Sequence, residues 1–585
     1  MSNTPARRFK AMLSMLVLAL VGAGVWLTLR WSGSPRKVAR PNVVLISLDT
    51  LRPDHLGCYG YDKDTSPNLD RFAKQSVVFT NCRAQAPWTL PSHMSLFTSM
   101  LPSSNGVDDI GKVLPPEIPT LPQLLREEGY HTAALVNNGQ MKKHWGFGRG
   151  FDTWQEFDAT KDEGNCTHIT REALAWLKAN QASPFFLFLH YYDTHLPYAA
   201  PERFRRQMET TLSGKDTETL CSRHNTPDRR LTDKALLADL IAAYDAEIAW
   251  LDHELGKLLD ALPPDTLVVI FSDHGEAFGE HGWLLHGATL YEEETRVPLI
   301  VRLPEGQRRR PVVDDSTMLM DVAPTILARC GVRVPAAFQG TDLAPACDGK
   351  SLPPRLIPSE TKSFFENRYS LSVVLHPLKG IYSLFDGRFE LYKLPDEQRD
   401  LAATDRPAAE ALLKPLREWM NGEQFWMIYA VGRGDFEATV ELSEGQFGLS
   451  IPVRPDPERD SFERIADGRA VRWHVYPSGL KPPKALFLQA AHPGASLRFD
   501  CKINGAAARE LVFLGKDGRH PDGLPATIPA DLAPSSPFIE QPFSADKDGF
   551  YIVRYRTEGA RPRPALVQPL DEQTIRQLRS LGYLQ

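Results

Sequence analysis

The chain lacks the basic excess that a nucleic-acid surface requires. Its 67 lysines and arginines face 73 aspartates and glutamates, a formal charge of −6 over 585 residues. No nucleic-acid partner is expected. Low-complexity tracts and internal repeats are absent too, and the composition is that of globular protein, 42% apolar and 24% charged. Cysteine is sparse, with Cys58, Cys82, Cys166, Cys221, Cys330, Cys347 and Cys501 making 7. Their spacings match no zinc ribbon, so a cysteine-held metal is not expected. An odd number cannot all pair; Cys330 with Cys347 is a local candidate in an oxidising compartment. Only one long apolar run is present, which argues against a multi-span membrane protein.

That run is Ala11 to Leu29, preceded by Arg7, Arg8 and Lys10. At about 1.5 Å per residue it spans about 28 Å, one hydrocarbon thickness. Residues 1–10 then read as a cytoplasmic basic region, 11–29 as a transmembrane signal-anchor and 30–40 as a linker. A cleaved signal peptide is the alternative, since Gly22, Ala23 and Gly24 are small. Both readings export the rest of the chain to the periplasmic or extracellular face. The first keeps it anchored through an N-terminal helix.

Beyond the linker, short apolar runs recur at Pro41–Leu48, Thr132–Val136, Pro184–Leu189, Leu267–Phe271 and Val297–Val301. Helix-period segments lie between them at Asn68–Gln75, Thr120–Glu128, Arg171–Ala179 and Lys234–Leu262. Alternating strands and helices predict an α/β fold with a mostly parallel sheet sandwiched by helices. The expected catalytic domain covers 41–350. Residues 201–230, rich in arginine, read as an irregular excursion, either a solvated loop or a substrate-facing lid. Past about residue 350 the character changes, and Gly380 through Leu394 reads as short strands. A β-sandwich-like accessory domain is expected over 421–565 and a helical tail over 566–585.

Asp49 and Asp273 each follow a strand immediately, so both face the crevice at the strands' carboxyl ends. Carboxylates suit hard divalent cations. The imidazole of the adjacent His274 shifts the preference toward zinc or manganese, with calcium as the alternative. Thr89 stands at a helix start, with Pro91 just inside it. A threonine there serves as an N-cap, or it faces an anion held by the helix N-terminus.

The segment Ala86-Pro87-Trp88-Thr89-Leu90-Pro91-Ser92-His93 resembles the nucleophile motif of the sulfatase family, in the alkaline phosphatase superfamily. So do Asn42–Asp49, Ser66-Pro67-Asn68-Leu69-Asp70, Gly129-Tyr130-His131-Thr132-Ala133, Phe271–Glu276 and Tyr291–Leu299. The resemblance covers 40–330 strongly and 350–420 weakly, and it implies a small C-terminal α+β subdomain over 351–420 with a final helix near Pro407–Met420. It implies an alkaline phosphatase/sulfatase-like fold and a divalent metal held by Asp49, Thr89, Asp273 and His274. Thr89 takes the place of the Cys or Ser that sulfatases oxidise to formylglycine, so a metal-activated hydroxyl nucleophile is implied instead. His195 matches the substrate-contacting histidine of the family. His286 stands where sulfatases carry a lysine. Around Asp273 to Gly287 the chain also resembles phosphoethanolamine transferases, which use a threonine nucleophile. His195 and His286 are therefore expected to hold phosphate or to protonate the leaving alkoxide. His93, in place of the motif arginine, His190 and His281 are expected to make structural hydrogen bonds. Glu276 and Glu280 are candidates for orienting ligands. Thr50, His274, His286 and Asn138 all depart from the sulfatase pattern.

The expected function is an exported, membrane-anchored, metal-dependent hydrolase that cleaves phosphate or sulfate esters through Thr89, with phosphoryl chemistry preferred. The alternatives are a sulfuric ester hydrolase, a phosphotransferase on an envelope lipid or glycan, and an inactive homologue that binds an anionic glycan. The expected partner is a small anionic ester, glycan or lipid.

Overall fold

The computed structural model describes residues 40–567, apart from internal segments at 138–139, 159–164, 181–183, 225–229, 306, 308–309, 364–367, 384–387, 420–423, 444–446, 454–458, 491–496, 509–510, 514–526, 529–548 and 557–565. Ala11–Leu29, Asn138 and most of the 566–585 tail lie outside the described residues. Among those described, no helix is long and apolar enough to cross a membrane.

The catalytic region is built on strands β1 (Val43–Leu48), β2 (Val77–Arg83), β3 (His131–Val136), β4 (Thr153–Glu156), β5 (Phe185–Tyr191), β6 (Leu267–Phe271) and β7 (Arg296–Arg302). With two short edge pieces, Val312–Val313 and Thr317–Met318, they form one nine-stranded sheet. The strand order from the Val312–Val313 edge is β2, β7, β6, β1, β5, β3, β4. β1 pairs in parallel with both β5 and β6, whereas β7 runs antiparallel to β6 and β2. The expected mostly parallel sheet is therefore present, with β7 as the reversal.

All six residues of β1 are buried, and all but Ser47 are apolar. Successive side chains go to opposite faces. Val43, Leu45, Phe188 and Val269 join one core; Val44, Ile46, Leu189 and Ile270 join the other. Helix α1 (Thr89–Thr98) covers the first face. Helices α2 (Cys166–Ala179) and α3 (Lys234–Ala261) cover the second. Asn165 caps α2 by accepting from the backbone of His168, and Asp233 caps α3 through Ala235 and Leu236.

The expected irregular excursion at 201–230 is a finding of a different kind. It contains helices Glu202–Gln207 and Gly214–His224. Phe204 packs against Ala246 and Ala249 of α3, and Leu220 with Cys221 joins the second core. These few apolar positions fix the segment, while Arg203, Arg206, Arg223 and Arg230 stay exposed. All seven cysteines are free thiols, Cys330 and Cys347 included.

A four-stranded antiparallel sheet follows, with strands β8 (Ile357–Ser363), β9 (Arg368–Leu375), β10 (Leu378–Ser383) and β11 (Phe389–Lys393). Helix Arg406–Trp419 packs on it, where the final helix was expected. Further on, a five-stranded and a six-stranded sheet share a core that includes Ile428, Phe436, Trp473, Leu486 and Phe550. Strand Phe436–Leu442 alternates buried with more exposed positions, as one wall of a two-sheet stack must. At the far end, Leu566–Val567 pairs with Lys112–Val113 of the catalytic region.

Candidate active site

Three strand ends and one helix start converge at the carboxyl edge of the sheet. Asp49 leaves β1, with its backbone N–H donating to Tyr191 O at 2.9 Å. The next residue, Thr50, takes a left-handed φ of 57°. Its hydroxyl donates to Thr194 O at 2.6 Å, and Tyr244 donates to Thr50 O at 2.8 Å. Those two bonds hold a conformation that a β-branched residue otherwise avoids. Asp273 and His274 leave β6. Ser92 of α1 donates to Asp273 O at 2.6 Å, and Ser272 donates to His274 O at 2.6 Å.

Thr89 is the first residue of α1, and the extended Trp88 occupies the cap position. Capping therefore does not explain Thr89. Its Oγ1 turns away from the helix, to 3.4 Å from Asp49 Oδ2 and 3.3 Å from His274 Nε2. Asp49, Thr89, Asp273 and His274 are all fully buried. The four residues expected at a metal thus meet in one place.

Whether a cation fits can be judged from lone pairs. His274 Nδ1 faces the carbonyl of Gly275 at 3.0 Å, so that nitrogen carries the proton. Nε2 is then an acceptor, yet it lies 3.4 Å from Asp49 Oδ1 and 3.3 Å from Asp273 Oδ2. Three acceptors facing one another repel unless a proton or a cation lies between them. Neither Asp273 carboxylate oxygen meets a donor in good geometry, although the Thr50 and His274 amides are near. Burial and the charge of Asp49 push the Asp273 carboxyl well up. Burial opposes ionisation of Asp49 as well, but the His190 hydrogen bond and the neighbouring imidazoles hold its carboxyl below the usual range. Burial and the charge of His286 hold His274 well down. Ligand atoms of Asp49, Asp273 and His274 all lie within 4.8 Å of one another. The donor set therefore fits a divalent ion.

His195 and His286 line the same space. Their rings are 4.9 Å apart, and the His286 ring is 4.4 Å from that of His274. They differ in protonation. His195 donates Nδ1–H to Leu196 O at 2.7 Å and stacks on Tyr192 at 4.2 Å. Burial and the charge of His286 hold it down to about 3, so it is neutral. His286 Nδ1 instead meets Glu276 Oε1 at 2.9 Å. Burial works against its charge, but the Glu276 carboxylate outweighs burial and raises its pKa. Glu276 is itself fully buried and accepts a second bond from Tyr198 OH at 3.0 Å.

The two glutamate candidates separate here. Glu276 orients His286, whereas Glu280 pairs with Arg52, whose guanidinium also donates to Glu276 O at 2.9 Å. His93 makes structural hydrogen bonds, donating Nδ1–H to Thr89 O at 2.9 Å and accepting from Ser47 at 2.9 Å. His190 lies nearer the centre than its expected role, with Nε2 3.2 Å from Asp49 Oδ2. Tyr198 was missed by sequence reasoning. Its signal was the spacing His195-Leu196-Pro197-Tyr198, which returns the phenol toward the strand end that carries Glu276.

A family model described as Sulfatase matches residues 41–332. Among curated relatives, N-acetylglucosamine-6-O-sulfatase of Bacteroides thetaiotaomicron is 26% identical over 418 residues, covering 56% of this chain and 75% of the relative. Human iduronate 2-sulfatase is 27% identical over 390 residues, covering 50% of this chain and 70% of the relative. The solved phosphonate monoester hydrolase of Agrobacterium radiobacter shares the fold with a TM-score of 0.53 at 21% identity, covering 65% of this chain and 95% of that one. The chain belongs to the sulfatase family, and is an ester hydrolase of the alkaline phosphatase superfamily.

Proposed function

We propose that this protein is a divalent-metal-dependent hydrolase that acts on phosphorus esters through Thr89. The observation that carries the reading is the Thr89 hydroxyl, turned into a ring of metal-ligand lone pairs where sulfatases carry an oxidisable Cys or Ser. Asp49, Thr89, Asp273 and His274 would hold the ion, which lowers the pKa of the Thr89 hydroxyl and offsets charge on the transferring group.

The chain's own groups then do the following. Thr89 gives up its proton to solvent before the ester arrives, and its alkoxide Oγ bonds to phosphorus. The bond from phosphorus to the leaving oxygen breaks, and His286 protonates that oxygen through Nε2. Water next attacks the phosphothreonine and gives its proton to His286, and Thr89 leaves as the alkoxide that begins the next cycle. Neutral His195 offers an acceptor nitrogen that orients the water. The N-terminus of α1 faces the transferring oxyanion. A threonine sulfate lacks the geminal-diol route by which formylglycine releases sulfate, and this favours phosphorus over sulfur.

Sulfuric ester hydrolysis is the second reading. It is supported by the relatives, which include N-acetylglucosamine-6-O-sulfatase and iduronate 2-sulfatase. A side-by-side assay separates the two on metal-reconstituted protein, using 4-nitrophenyl sulfate, phosphate monoester, phosphodiester and phosphonate substrates. The phosphorus esters are expected to turn over faster. Preference for the aryl sulfate would reverse the assignment. Ala11–Leu29 supports an anchored, exported enzyme, with the periplasmic or extracellular face as its place of work.

Glu276→Gln tests the protonated state of His286. The amide keeps the shape and removes the charge, so kcat should fall about 10- to 100-fold, as when a ligand-orienting carboxylate is lost elsewhere. Metal content should stay at the wild-type value. An unchanged kcat would remove Glu276 from the mechanism.

A further inference from the structure

His286 arrives on a hairpin. Ala277–Phe278 pairs with Leu284–Leu285, and the turn between them is closed by Gly279 N–H donating to Trp283 O at 2.8 Å. Glu276 and His286 flank the base of this hairpin, and His281 sits at its tip. The tip is fastened twice. His281 Nδ1 is 2.7 Å from Glu293 Oε1, and Nε2 is 3.1 Å from the backbone carbonyl of Glu397. A carbonyl only accepts, and so does a carboxylate. Both ring nitrogens must therefore carry protons for both bonds to exist.

The surroundings suit that cation. The ring stacks on Tyr291 at 3.6 Å, nearly parallel at 7°, and Tyr392 of β11 approaches edge-on at 6.4 Å. The Glu397 carboxylate also faces it, itself paired with the buried Lys379 of β10 at 3.0 Å. On the outer side the guanidinium of Arg230 lies against Gly282, a positive group next to the tip. Burial acts against the His281 charge, but Glu293 and Glu397 outweigh it and raise its pKa.

We propose that His281, as an imidazolium, bolts the hairpin bearing His286 to Glu293 of the catalytic region and to the Glu397 segment that follows the C-terminal four-stranded sheet, and so positions His286 for catalysis. It is a positioning residue, since it touches neither the metal-ligand set nor the space beside Thr89. Deprotonation leaves one donor for two acceptors, and the tip releases Glu293 or Glu397. The Glu397 segment thereby becomes part of the active-site machinery, through a contact that weakens as pH rises. The catalytic consequence rests on the role proposed for His286. The hairpin's attachment does not.

The test uses the full chain and two exchange measurements by mass spectrometry. Exchange of the imidazole C2 proton reports the protonation midpoint of His281, from about pH 5 to about pH 9. Amide exchange over residues 277–287 reports hairpin opening. Opening should rise about tenfold beyond the intrinsic pH dependence, since a charge-assisted hydrogen bond is lost, with the His281 midpoint. In His281→Gln the hairpin should be open at every pH and the step should vanish. With bis(4-nitrophenyl) phosphate as probe, wild-type kcat should fall through the same midpoint while KM moves less than about twofold. Constant hairpin protection across the His281 titration would overturn the proposal in wild-type protein, without recourse to a variant. Absence of turnover on any ester would count against the phosphorus-ester reading and leave the exchange result to decide the bolt.

Discussion

Thr89→Ala lowers kcat by about 10⁴-fold or more, the scale on which removal of a nucleophile acts in hydrolases that form covalent intermediates. The fold should survive the change. Thr89 begins a helix without capping it, and alanine is at ease there. The three other metal-ligand candidates keep their places, because Ser92 and Ser272 hold the loops by backbone carbonyls. Thr89→Ser keeps the oxygen and frees its rotamer, so it should retain activity within about a hundredfold. The pair separates the oxygen from the methyl group. Steady-state kinetics with circular dichroism checks both, and wild-type turnover by Thr89→Ala would end the nucleophile assignment.

Asp273→Asn should weaken metal binding by more than about 100-fold, beyond what loss of a merely orienting group costs. A second effect has the opposite sign. Asp273 lies buried beside another carboxylate that pushes its pKa well up, so its charge destabilises the metal-free protein. The substitution removes that charge. Metal-free Asp273→Asn should therefore melt above metal-free wild type. Wild type should gain about 2.7 kcal/mol from metal at a hundred times its dissociation constant, and the variant almost none. Calorimetry with and without zinc or manganese measures both terms. Equal metal-induced stabilisation of the two proteins would place the ion elsewhere.

Much of this site was legible because the central strands of a covered parallel sheet are predominantly apolar, so the polar residues that close each run mark the crevice. Asp49 after Val43–Leu48 and Asp273 after Leu267–Phe271 are of that kind. Strand Val77–Arg83 went unread because Thr80, Asn81 and Arg83 break its apolar run, although the strand is almost wholly buried. Arg83 tolerates that burial through Glu292, a partner 209 positions away that no local pattern announces. The helices at 202–207 and 214–224 were hidden by arginines that outnumber their few buried anchors. For the histidines, the resemblance to sulfatases placed His195 and His286 in the crevice, but their protonation depends on Leu196 O and Glu276. The approach of His190 to Asp49 follows from the parallel register of β5 against β1, which sets Ser47 opposite His190.

Every residue of helix α1 is buried, from Thr89 to Thr98. This bears on how the protein can change over generations. A nucleophile on a loop can be retuned by neighbours that are free to vary. Here each neighbour is also a core residue, so a substitution that shifts Thr89 also disturbs the packing of Leu90, Met94 and Phe97. In a saturation library, the α1 positions should tolerate as little as Thr89 itself. New substrate preferences should arise instead from the loops that rim the crevice, where variation leaves the core unchanged.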